Sequence, residues 1–484
     1  MKNINEVYRP IKRPIKIMQF GEGNFLRCFV DWIIQNANNS DLNFSSNVVV
    51  VQPLDRGLVD MLKDQEGLYT TILEGIKDKD PVSETLVVDS LADFINPYRD
   101  YDKYLEYAKS EDLEFVVSNT TEAGIALDVN DTDLTHTPSS FPGKLLALLL
   151  KRYEFFKGDK SKGLDIIACE LIDKNGDELK KVLIELSKIN NLSEDFISWL
   201  INSNRFYNTL VDRIVPGYPR GEEDKFYQRF GYIDKLMVKG EVFHLWVIED
   251  HYNLESRFPV DKILNVKFVD DVTLYKVRKV KILNGAHTLM VPLSYLSGHD
   301  TVGETMADPD LLAFIKAFIE KEVIPTINLP RDDMYSFFNS VLLRYMNPYV
   351  RHELMSIALN SITKYKTRIL PSVIEDLERG YFPKNAFYSF ASLLVFYRGR
   401  RGDEAIALSD NPEFLEFFKN EWDKVESGKE KVRDLVVNTL SLSHWEYDLV
   451  SNKQIVDFIT ESIENILKDG VKSDFFYKEL DFIK

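Results

Sequence analysis

Cysteine is nearly absent from this chain of 484 residues, with Cys28 and Cys169 its only two. Two thiols supply neither a disulfide framework nor a thiolate metal site, and such sparing use suits a reducing compartment. Long apolar runs are missing too. Runs such as residues 48–51 and 145–150 fall well short of the ~18 residues that mark a membrane-spanning helix. Lys2, Arg9, Lys12, Arg13 and Lys16 are followed by no apolar stretch before Gln19 and Gly21, so no export signal is expected and the cytoplasm is the expected location. Positive charge is in deficit, since 60 Lys and Arg against 77 Asp and Glu leave −17. That balance makes a poor partner for nucleic-acid phosphates or anionic membranes. The seven histidines show no metal-ligand spacing, and no metal is expected.

What is present is ordinary for a folded protein. Hydrophobic residues at 44% and charged residues at 28% argue against disorder and coiled coil, and the length suggests about two to four domains. The first half alternates strand and helix patterns, as in an α/β sheet built from βαβ units. Residues 14–20 (PIKIMQF) read as a strand, and Phe25, Cys28, Phe29, Trp32 and Ile33 repeat as one helix face. Residues 47–52 (NVVVVQ), 113–118 (LEFVVS) and 164–170 (LDIIACE) are apolar enough for parallel strands covered on both sides. A helix is expected over about residues 144–156, and residues 240–249 (GEVFHLWVIE) form the clearest later strand. After residue 270 the pattern turns helical, with stripes at 311–324, 334–345 and 413–425. The last, Ile455, Phe458, Ile459, Ser462, Ile463, Ile466 and Leu467, is closed by Gly470. The expectation is an α/β dinucleotide-binding domain over residues 1–270 and a mainly α-helical domain over 271–484.

Between the first strand and helix stand Gly21, Gly23, Asn24, Phe25 and Arg27, a GxGxFxR turn. A tight turn that bares its backbone before a helix suits a pyrophosphate. The third glycine of the usual fingerprint is replaced by Leu26, which leaves a plain strand-to-helix turn as an equal reading. Past the second strand, Asp55 accepting from a ribose hydroxyl would favour NAD, while Arg56 meeting a 2′-phosphate would favour NADP. NAD is the expected cofactor. Thr121 and Glu122, and after the next strand Glu170 and Asn175, occupy the strand ends where such domains keep their site. Cys169, on a buried strand, reads as core.

Lys279, Asn284 and His287 lie in one apolar stretch as K-x4-N-x2-H. On an α-helix Asn284 falls about 140° and His287 about 80° around from Lys279, a sector that borders one cavity. A desolvated lysine serves as a general base near neutral pH. An amide donates to a carbonyl oxygen as charge develops there, and the histidine orients lysine or substrate. Lys281 is expected at the surface. A basic helix face with a satisfied core histidine is the competing reading.

The same spacing resembles the signature of the polyol-specific long-chain dehydrogenases, the mannitol dehydrogenase group. Stretches such as 17–27 (IMQFGEGNFLR), 67–76 (GLYTTILEGI), 118–125 (SNTTEAGI), 208–220 (NTLVDRIVPGYPR) and 279–292 (KVKILNGAHTLMVP) extend the likeness over nearly the whole chain. The resemblance implies a Rossmann-type N-terminal domain, a helical C-terminal domain, NAD, and a small-molecule sugar-acid or polyol substrate. It implies Lys279 as acid/base, Asn208 and Asn284 as carbonyl-polarising amides, and His287 beside them. It further points to the interconversion of D-tagaturonate and D-altronate, with fructuronate or a free polyol as alternatives. Polyol-oxidising members carry an Arg eight residues before a substrate-contacting Lys. Here the Lys is Lys364, but the earlier position is Ser356. A sugar acid needs a cation for its carboxylate, and Lys364, Arg351, Arg344 and Arg220 are the candidates. A non-catalytic dinucleotide sensor is the reading from another class. Retention of Lys279, Asn284 and His287 speaks against it, because a sensor has no use for a proton-transfer lysine.

Overall fold

The computed structural model describes residues 1–42, 44–77, 79–121 and 123–480. The chain divides into two compact units, Met1–Val272 and Thr273–Lys484. The first is built on six strands: β1 (Ile15–Phe20), β2 (Asn47–Val51), β3 (Leu91–Ile95), β4 (Phe115–Ser118), β5 (Asp165–Ala168) and β6 (Arg205–Tyr207). They lie in the order β3-β2-β1-β4-β5-β6, each parallel to its neighbour. This is the doubly wound order of dinucleotide-binding sheets.

Successive side chains of a strand point to opposite faces, and both faces here are core. Val48 and Val50 enter one apolar cluster and Val49 and Val51 the other, and Ile167 opposes Ile166 and Ala168 in the same way. That is why these strands read as unbroken apolar runs. Three helices cover the second cluster: α3 (Phe141–Phe155), α4 (Asn175–Ile189) and α5 (Glu194–Ser203). Ser140 caps α3 by accepting from the Gly143 N–H, with Pro142 in the first turn, so this helix starts earlier than its apolar residues suggest.

On the other face, the helix expected after the glycine turn is two pieces, α1 (Asn24–Cys28) and α2 (Val30–Asn38), broken at Phe29. The Arg27 carbonyl accepts from Tyr69 and the Cys28 carbonyl from Arg213. Side chains inserted into the helical ladder bend it there. Residues 240–249 also divide. Val238–Glu241 pairs with a long hairpin, Tyr69–Lys77 and Asp80–Val88, while Leu245–Glu249 joins a separate sheet with Thr209–Asp212 and Val266–Val269.

The second unit is mainly helical, and its one strand pair among the described residues is the two-residue Arg400–Arg401 with Glu404–Ala405. Its opening helix runs as α6 (Thr273–Arg278), a π-helical turn (Lys279–Asn284) and α7 (Gly285–Leu296). Later come α8 (Arg331–Tyr345), α9 (Ser361–Arg368), α10 (Lys384–Phe396) and α11 (Lys453–Asp469). The buried α10 packs on α7 and α11, and α11 sets Ile455, Ile459, Ile463 and Ile466 inward before Gly470. Among the described residues no helix is long and apolar enough to cross a membrane.

Ile33, fully buried on α2 beneath the sheet, tests this packing. Ile33→Ala is expected to destabilise the protein by about 2–5 kcal/mol, read as a lower denaturant midpoint with an unchanged slope.

Candidate active site

The ends of four sheet strands supply the first part. At the end of β1, Gly21 has φ +117°, and a Cβ there would stand 2.9 Å from the Asn119 carbonyl oxygen. Only glycine fits that position. Gly23 differs, because its backbone is extended (φ −67°, ψ 171°) and a Cβ would meet no protein atom within 4 Å. The fold does not require glycine at Gly23, so the bare backbone leaves room for something outside the protein. That room belongs to a cavity of about 720 Å³ lined by Gly21, Glu22, Gly23, Arg56, Asn119 and Thr121 among others. Its size and its place at a topological switch point fit a dinucleotide.

The other expected cofactor residues are placed unevenly. Thr121 lies on the cavity wall with φ +84°, a strained conformation for a β-branched residue. Asp55 is exposed, and its backbone carbonyl accepts from Gln52 and Asn96. Glu122 falls outside the described residues. Phe25 stacks on Phe29. Arg27 turns inward, 2% exposed. It donates to the Glu22 carbonyl, the Leu236 carbonyl and Asn24 Oδ1, so it holds the turn from behind.

Beneath the turn is a buried polar network. Gln19 Nε2 donates to the Gly21 carbonyl (3.0 Å) and to Asp31 Oδ2 (3.2 Å), and Tyr69 also donates to Asp31. Burial pushes the Asp31 carboxyl up to about 7, against the pull of Gln19, Arg27 and Tyr69. At the ends of β4 and β5, Glu170 accepts from Ser118 and Thr120, and Asn175 Nδ2 donates to the carbonyls of Ala168 and Glu170. Both brace the strand ends. Asn208, just past β6, is buried, and its Nδ2 donates to Asp177 (3.0 Å) and Glu249 (3.2 Å). The Cys169 thiol is buried and raised far above its usual range by desolvation, as befits core.

The second unit carries candidate residues of its own. A π turn closes its hydrogen-bonded ring over five residues instead of four. Lys279 and Asn284, five apart, are the first and last residues of this π turn, and His287 lies three residues further on. The separation of about 140° expected for an α-helix therefore does not apply. Lys281, expected at the surface, is buried, pairs with Glu375 at 2.8 Å and donates to Thr326. The extra residue per turn rotates Lys281 into the unit while Lys279 stays half-buried.

His287 packs on Tyr345 (ring centroids 4.4 Å apart) and edge-on against His352 (5.0 Å). Its Nε2 is buried with no hydrogen-bond partner. Burial holds this imidazole far below its usual range, and His352, Arg344, Arg368 and Lys364 push the same way. Arg344 and Lys364 are thus gathered near His287. Arg351 is not, being exposed and paired with Glu353, and Arg220 sits exposed on a turn of the first unit. Arg368 was not foreseen. Its i, i+4 spacing from Lys364 was visible, but its target, Thr288 Oγ1 at 3.2 Å, was not.

Residues 15–262 match the mannitol dehydrogenase Rossmann domain and residues 271–467 the mannitol dehydrogenase C-terminal domain. The chain belongs to the mannitol dehydrogenase family. Altronate oxidoreductase of Yersinia enterocolitica is 42% identical over 465 residues, 95% of this chain and 96% of its own. That of Klebsiella pneumoniae subsp. pneumoniae is 41% identical over 478 residues, 98% and 99% of the two chains. Among solved structures, a substrate-free D-sorbitol dehydrogenase shares the fold with TM-score 0.81 at 22% identity, covering 97% of this chain and 99% of that one. Mannitol 2-dehydrogenase of Pseudomonas fluorescens, solved with NAD and D-mannitol, has TM-score 0.64 at 21% identity, covering 96% and 94%. This member of the mannitol dehydrogenase family is accordingly a dehydrogenase with a Rossmann-type first domain and a helical second one.

The network under the glycine turn predicts a pH effect. Asp31 has a folded pKa raised to about 7 from an ordinary 3.8, so its proton favours the fold. That contribution is complete below pH 4 and disappears as pH rises through about 7. Asp31→Asn, neutral throughout, is expected to be relatively more stable than the parent at pH 8 than at pH 4. Parallel denaturation curves whose difference is pH-independent would contradict this.

Proposed function

We propose that this dehydrogenase uses NAD(H) to interconvert D-tagaturonate and D-altronate in hexuronate breakdown. The observation that carries the reading is its 42% identity, over 95% of the chain, to an altronate oxidoreductase. The cations beside His287 support it, because a hexuronate brings a carboxylate and a free polyol does not. For the cofactor, the support is the cavity above Gly21 and Gly23 in a sheet of dinucleotide-binding order, together with a family neighbour solved with NAD.

NAD(H) would be held in the cavity at Gly21, Gly23 and Asn119 and would supply the hydride chemistry at the keto carbon. The chain manages the oxygen. In reduction Lys279 Nζ gives its proton to the carbonyl oxygen as that carbon gains hydride, so the ketone becomes a secondary alcohol and the lysine is left neutral. The Asn284 amide donates to the same oxygen while its charge grows, a fixed dipole in place of water that would have to reorient. Asn208, whose Nδ2 donates to Asp177 and Glu249, is the second amide that the family resemblance assigns to this role. His287, held neutral, presents an unfilled ring nitrogen to a substrate hydroxyl.

Rates with D-tagaturonate, D-fructuronate and D-fructose, each with NADH, test the substrate. The first is expected to have the highest kcat/KM, and a preference for fructose would overturn the sugar-acid reading. Lys279→Ala is expected to lower kcat by about 10²–10⁴-fold with NADH affinity nearly unchanged. Near-normal turnover in that variant would reject the lysine's role.

A further inference from the structure

The charges of Arg344, Lys364 and Arg368 all act on His287, in a protein whose net charge is −17. Two of them, Lys364 and Arg368, are four apart on α9 and share one face. Like charges at that spacing destabilise a helix, and the Arg368 charge acts on Lys364 in that direction, adding to burial. Arg344 ends α8 next to Tyr345, whose ring lies on His287 and whose hydroxyl donates to the Leu283 carbonyl, joining α8 to the π turn. Asp410 is the carboxylate that offsets Lys364, and it already accepts from Tyr397 and the Ile362 N–H.

Lys364 and Arg368 are tethered differently. Lys364 Nζ donates to the Ile357 carbonyl at 2.7 Å, within its own helical neighbourhood. Arg368 reaches across to α7 and donates through Nη1 to Thr288 Oγ1, the residue after His287. A guanidinium carries five N–H donors in a planar fork. One bond to a neutral hydroxyl tethers it to the residue after His287 and leaves the charge unneutralised by that partner.

We propose that Arg368 is the residue that selects a sugar acid, its guanidinium taking the hexonate carboxylate in a forked ion pair beside His287, with Thr288 holding the fork in plane. Arg368 thereby does the work of charge recognition in a chain that carries Ser356 in place of the polyol enzymes' arginine. The inference rests on the sugar-acid reading above and assigns it a residue that the resemblance does not supply.

The test compares Arg368→Leu and Arg368→Lys with the parent enzyme, using D-altronate with NAD, D-tagaturonate with NADH, and the neutral D-fructose with NADH. Binding of D-altronate without turnover is measured by calorimetry. A charge-assisted hydrogen-bond pair is worth about 10- to 100-fold in affinity. Arg368→Leu is expected to raise KM for both acids by that factor, with a smaller change in kcat. The acid-to-fructose ratio of kcat/KM should fall alongside, and Arg368→Lys should recover part of the loss. A KM for the acids within twofold of the parent in Arg368→Leu overturns the proposal. So does an equal loss on acid and neutral substrates that Arg368→Lys restores fully, which is the pattern of a structural tie to Thr288. If the parent fails to turn over either acid, the substrate reading falls. Loss of altronate binding in Arg368→Leu would still uphold the anion site by itself, and retained binding would overturn it.

Discussion

Six parallel strands with apolar residues on both faces leave polar side chains two places in the first unit, a buried hydrogen-bonded network such as that of Gln19, Asp31 and Tyr69, or the strand ends. A buried polar group without a partner costs about 1–3 kcal/mol, so chemistry is driven to the edge where the chain leaves the sheet. Gly21, Asn119, Glu170 and Asn208 all stand at such exits. The edge is then braced from within the protein: Arg27 fixes the glycine turn, Glu170 ties β4 to β5, and Asn175 reaches back to Ala168. The cavity is a consequence of this arrangement, since it is bounded by loops whose positions the strands have already decided.

The second unit solves a different problem. In an acidic chain it gathers positive charge near His287 of α7, from Arg344 on α8 and from Lys364 and Arg368 on α9. Burial disfavours the charge on both Lys364 and Arg368, and the Arg368 charge adds to the effect on Lys364. Such a cluster is tolerated where the surrounding packing over-determines it, here through Tyr345, Thr288 and the Ile357 carbonyl.

Much of this was legible in the residues. Valine runs marked the covered strands because two-sided burial demands them, and the glycine turn stood out because φ above zero excludes other residues. The change to 3.6-residue stripes marked the helical half. What escaped depended on distant partners. The break at Phe29 comes from Tyr69 and Arg213, which lie far along the chain from the carbonyls they take. The hairpin of Tyr69–Lys77 and Asp80–Val88 carries a solvent-facing strand whose alternation is weak. Lys281 was misjudged because an α-helical wheel was laid over a π turn, and Arg368 was passed over because Thr288 is 80 residues away in sequence.

That π turn has an evolutionary reading. A π turn is an α-helix with one residue too many, less favourable in itself than the helix on either side. Deleting a single residue from 280–283 would heal it, giving a continuous and locally more stable helix from Thr273 to Leu296. It would also swing Lys279 by about 100° relative to Asn284. A change that improves the helix therefore dismantles the constellation built on it. On the proposed roles of Lys279 and Asn284, the irregularity is where stability and chemistry are traded against each other by one residue of chain.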